Sequence, residues 1–62
     1  MKIEIEIRCD TINEIYGHLN KIKEDIHRET KRLNLNPDED EFPGYIPLDD
    51  ANCYGEHTLK IK

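Results

Sequence analysis

Cys9, Cys53, His18, His27 and His57 are the side chains in this chain best suited to hold a soft metal ion or to serve a covalent reaction. Their separations match no standard zinc-binding pattern, and neither cysteine belongs to a Cys-x-x-Cys pair. A two-Cys, one-His site closed across two copies of the chain is the only metal arrangement left, and no metal or other cofactor is expected. For catalysis, Cys53 as nucleophile with His57 as base, or Asp49 and Asp50 as an acidic pair, are the available combinations. A nucleophile also needs an orienting third group and an oxyanion hole inside a water-excluding pocket, and a domain of this length has little room for them. The sequence therefore reads as a non-enzyme with no catalytic residues.

Binding chemistry is better represented. Tyr45, Asp49, Asp50, Asn52, Tyr54 and His57 fall within a short stretch. Tyrosines give rigid amphipathic contact area, and Asn and Asp supply hydrogen bonds able to read a base or ribose. Arg8, at the end of the first predicted strand, would add the positive charge a phosphate needs. The plainer reading is that the tyrosines pin a loop and the polar residues make turns. Asp38, Glu39, Asp40 and Glu41 form an acidic run that would suit a basic protein surface or simply solubilise the chain. It is not an EF-hand loop, because Pro43 stands where the sixth-position glycine belongs and Asp49 where the twelfth-position glutamate belongs.

Charge narrows the partners further. Residues 1–36 carry seven acids and seven bases, residues 37–56 carry seven acids and no base, and the net charge is -5. Phosphate contacts require clustered Lys and Arg, so direct nucleic-acid binding is not expected. Lys21, Arg28, Lys31 and Arg32 alternate with Glu24, Asp25 and Glu29 at helical spacings, which describes an ion-paired, solvated face. His18 and His27 sit on that polar side and read as surface residues. No apolar run approaches the roughly 20 residues that cross a bilayer, and Met1 and Lys2 lead straight into an alternating segment rather than a secretory leader. The expectation is a cytoplasmic protein with reduced thiols.

The elements that position these residues follow from periodicity. Ile3, Ile5, Ile7 and Cys9 alternate with charged residues, predicting a half-buried strand over about 2–9. Thr11 and Glu14 have capping-box spacing, so a helix begins there. Ile12, Ile15, Leu19, Ile22, Ile26 and Leu33 recur at three- and four-residue steps, interrupted at Glu29, and Asn34, Asn36 and Pro37 end the pattern near residue 34. Leu59 and Ile61 alternate with Thr58, Lys60 and Lys62, predicting a second strand over about 57–62. Residues 37–56 between them read as a long acidic and aromatic loop, stiffened by Pro43 and Pro47 and turned at Pro43-Gly44.

The predicted fold is a single α+β domain, β-α-loop-β, with one long amphipathic helix on a two-stranded sheet. A domain this small buries only about 60% of the surface its unfolded chain exposes. Two strands are marginal in water and leave two open edges. At ~1.5 Å per residue the helix would outrun the strands, so its last turns, Ile26 to Leu33, would need a second copy. The chain is expected to form a homodimer or higher homo-oligomer that extends the sheet. Its function reads as stoichiometric binding of a nucleotide-like ligand in pockets between protomers, by analogy with small acidic sequestering proteins of viruses and mobile elements. An acidic inhibitor masking a basic, nucleic-acid-binding surface of a host protein is the alternative, and a purely structural self-assembling protein is the second.

Overall fold

The alternating N-terminal segment forms strand β1 (Ile3–Cys9) in the computed structural model of the chain, which describes residues 1–62. Helix α1 (Ile12–Arg32) follows at once. Thr11 is its N-cap, in extended conformation, and its hydroxyl accepts the Glu14 backbone N–H at 3.4 Å. The Glu14 carboxylate reaches back to accept the Asp10 N–H at 2.8 Å, one residue further than a standard capping box requires. At the other end Asn34 adopts φ 55° while its N–H donates to the Lys31 carbonyl and that of Leu35 to the Thr30 carbonyl. Asparagine tolerates this left-handed geometry, and the two bonds satisfy carbonyls that the helix leaves open.

The segment read as a loop contains a third strand. β2 (Ile46–Asn52) and β3 (Gly55–Ile61) form a hairpin joined only by Cys53 and Tyr54, and β3 lies between the other two in the antiparallel order β1-β3-β2. The two-stranded sheet of the sequence reading is thus corrected to three strands. Pro47 cannot donate to a ladder, which hides β2 from a propensity argument, but on an edge strand it is tolerated. The register sets Ile3 and Ile46 on either side of Ile61, Ile5 and Leu48 beside Leu59, and Ile7 and Asp50 beside His57. Gly55 has φ 133°, and a Cβ there would collide with the Arg8 carbonyl oxygen, so the hairpin meets β1 only through a glycine.

The core lies between β3 and α1. Leu59, Ile61 and Ile22 are buried, with Ile7, Ile26, Phe42, Ile46 and Leu48 packed around them. Phe42 and Leu35 are half-buried, and Phe42 reaches the core from the connection after α1. Ile26 in the second half of the helix packs on this core as well.

The helix itself is rotated from the orientation its apolar row implies. The inward row is His18, Ile22, Asp25 and Glu29, the last half-buried. The two acids in it are neutralised from outside the core. Arg28 donates to Asp25 at 2.8 Å with Lys21 at 3.6 Å, and Arg32 donates to Glu29 at 2.8 Å. This pairing explains how Glu29 occupies an apolar position. The Arg32 guanidinium is held above its ordinary pKa, first by the hydrogen bond to Glu29 and then by that carboxylate's charge.

Candidate functional site

Adjacent residues of a strand point to opposite faces. In β2 that rule sends Ile46, Leu48, Asp50 and Asn52 toward the helix side, the side of Leu59 and Ile61, and turns Asp49 away. Between the inward end of β2 and the first half of α1 lies a cleft of about 710 Å³, within the size range of small-molecule sites. Asp50, Asn52 and Tyr54 line one wall, and Asn13, Glu14, Gly17, His18, Asn20, Lys21 and Glu24 line the other.

His18 is at the base of this arrangement. It is 3% exposed, and its Nδ1 lies 2.8 Å from Nδ1 of His57, itself 2% exposed, with the rings nearly perpendicular at 81°. One of these nitrogens donates and the other accepts, so the facing atoms share one proton. The Nε2 atoms of both rings are buried without any hydrogen-bond partner. Buried polar atoms in native proteins are nearly always satisfied, and each exception asks for a reason. His57 is also the cross-strand partner of Asp50, which is half-buried and whose carboxylate makes no hydrogen bond or ion pair.

Gly17 supplies a second exception. A glycine inside a helix is about 1 kcal/mol less favourable than alanine. Here nothing lies within 4 Å of the position its Cβ would occupy, so packing does not demand it. What its missing side chain does is keep the cleft wall open. The other wall is shaped by the turn, where the Asn52 side-chain oxygen accepts the Tyr54 N–H at 2.8 Å and leaves the Tyr54 ring 63% exposed.

Of the residues singled out from the sequence, the cleft gathers Asp50, Asn52 and Tyr54 on its wall, and His57 lies behind it through His18. It does not gather the others. Tyr45 precedes β2, and a seven-residue strand of roughly 23 Å separates it from the Tyr54 end. Asp49 faces the opposite side of the sheet, which also parts it from Asp50 as an acidic pair. Arg8 lies on the outer face of β1, where it donates to Glu6 at 2.8 Å and approaches Glu56 at 3.6 Å. Those contacts hold its guanidinium above its ordinary pKa, the Glu6 hydrogen bond contributing most. Cys53 is exposed in the turn, Cys9 donates to the Thr11 carbonyl at 3.6 Å, and both are free thiols. No cluster of three His, Cys, Asp or Glu side chains is placed to hold a metal ion.

His18 is the residue that sequence reasoning put on the surface and the structure buries; His27 is exposed. The one available signal was its neighbour Gly17, a helix-weakening residue at that point of the chain. No helix is long and apolar enough to cross a membrane. Comparison with known proteins gives no match: no family model fits the chain, and no curated protein and no solved structure is detectably similar to it.

Proposed function

We propose that this chain is a stoichiometric binding protein that takes one small, hydrogen-bonding molecule into the cleft between α1 and the β2–β3 hairpin. The observation that carries this reading is the cleft itself, where the Asp50 carboxylate has no hydrogen-bond or ion-pair partner and the helix wall carries a glycine that packing does not require. The exposed Tyr54 ring offers a flat surface on which an aromatic ligand would stack.

The same lining refines the ligand class. Glu14, Glu24 and Asp50 oppose the single Lys21, and Arg8 is engaged on the other face of the sheet. A phosphate would meet net negative charge. The base and sugar of a nucleoside-like molecule, neutral or cationic, suit the site better than a nucleotide's phosphates. Calorimetric titration of the full chain with purine and pyrimidine nucleosides and with their monophosphates tests this. One saturating site per chain is expected for a nucleoside, with the matching monophosphate bound at least about 10-fold more weakly, a difference of about 1.4 kcal/mol. Tyr54→Ala and Gly17→Leu should each abolish the heat. Absence of heat for every nucleoside, or binding indifferent to both substitutions, would remove the proposal.

A second reading rests on the exposed acidic run. Asp40 accepts the Asn36 N–H at 2.7 Å and Glu41 lies 4.0 Å from the N-terminal ammonium, while Asp38 and Glu39 keep their carboxylates free. Such a segment would dock a basic protein surface, and its association should weaken steeply with salt and on charge reversal of Asp38 and Glu39.

A further inference from the structure

The flank of α1 turned away from the cleft is the most apolar part of the helix and is not covered. At 3.6 residues per turn, the row Ile12, Ile15, Leu19, Ile22 and Ile26 is centred about 70° round the axis from the buried row His18, Ile22 and Asp25. The consequence is an exposed apolar patch at the start of the helix: Ile12 is 72% exposed, Tyr16 62%, Leu19 44% and Ile15 39%. Since the opposite flank faces β2 across the cleft, this one lies over β1, whose inward Ile3 and Ile5 are themselves 43% and 47% exposed.

The chain exposes more surface than a compact monomer of its mass, 4767 Å² against about 4200 Å². The apolar patch on α1 and β1 is part of that surface. The two sheet edges point to what fills it. The β2 edge is interrupted by Pro47, whereas β1 has no proline and presents an unbroken row of backbone donors and acceptors beside the patch. An identical strand laid antiparallel along β1 satisfies that row and sets the apolar start of one helix toward the exposed Ile3 and Ile5 end of the other copy, in one two-fold operation.

We infer that a second copy of this chain covers the patch, with the two-fold axis beside β1, giving a six-stranded sheet and packing Ile15 and Leu19 against the partner's apolar surface. The partner thereby meets the first turns of α1, not the last turns that helix length alone suggests. The inference is independent of the cleft, which opens on the other flank.

Sedimentation equilibrium and native mass spectrometry of the full chain from micromolar to submillimolar concentration test it, together with amide exchange. The expected species has twice the mass of the chain, and alternate β1 amides on the open edge exchange slowly. Leu19→Glu and Ile12→Lys should each convert it to a monomer with unchanged helical circular dichroism and fast exchange at those amides. Ile12 is so exposed in the single chain that its substitution leaves the fold intact even where Leu19→Glu does not. A wild-type monomer throughout the range would overturn the inference, as would a dimer that survives Ile12→Lys.

Discussion

The two flanks of α1 solve opposite problems. Toward β2 the helix presents polar residues and buries two of them, His18 and Asp25, beside a cleft that its own Gly17 holds open. Toward β1 it presents isoleucine, leucine and tyrosine and leaves them in water. Apolar burial contributes about 25 cal/mol per Å², so a helix free to roll would turn its apolar row inward. The orientation is instead set by the inward contacts of His18 with His57 and of Ile22 with the β3 side chains, and the apolar flank stays exposed in the single chain.

The largest effect is expected at Ile22, the residue both flanks share. Ile22→Ala truncates the one buried apolar side chain of α1 and should destabilise the fold by about 3 kcal/mol, read from urea unfolding. A loss under about 1 kcal/mol would mean that the helix is held mainly by its polar contacts.

His18→Ala comes next. It leaves His57 Nδ1 buried without a partner and opens a void, at a cost of about 2 kcal/mol. Replacing both histidines by leucine should recover much of that loss, because no polar atom is then stranded, while binding in the cleft is lost. Full stability of the single alanine variant would show that the pair does not orient the helix.

A smaller effect of opposite sign is expected at Gly17. Gly17→Ala should stabilise the chain by up to about 1 kcal/mol, since the new methyl meets open space, and weaken ligand uptake. Stabilisation without any change in binding would detach the glycine from the cleft.

The smallest effect lies on the outer face. Glu4 is held below the ordinary carboxylate pKa of 4.5, chiefly by the hydrogen bond from Lys62 and then by that from Lys2. Because the folded value is depressed, its contribution to stability is present above the unfolded pKa and is lost as pH falls through the folded one. A carboxyl-resonance titration should place the Glu4 midpoint below 4.5, and Lys62→Gln should raise it.

Much of the fold is legible in the residues because each signal is local. Alternation marks β1 and β3, which keep one face in water, and Thr11 with Glu14 marks the helix start through bonds that the structure contains. β2 is hidden by Pro47, Asp49 and Asp50, three poor strand formers that an edge strand with one open face accepts. The rotation of α1 is not legible at all, since it depends on His18 meeting His57 across 39 residues of sequence. For the same reason Asp50, Asn52 and Tyr54 can be picked out from composition, whereas the helix wall of the cleft cannot. Its members look like any solvated helix face until the hairpin is set opposite them.

The contrast between the flanks can be read in one experiment, a dilution series of the amide proton–nitrogen spectrum of the full chain. Concentration-dependent shifts are expected only in β1 and in the turns around Ile12, Ile15 and Leu19, with Asn52, Tyr54 and the Gly17 side of the helix unmoved. Shifts centred on the hairpin and cleft, or a spectrum that is the same at every concentration, would contradict it.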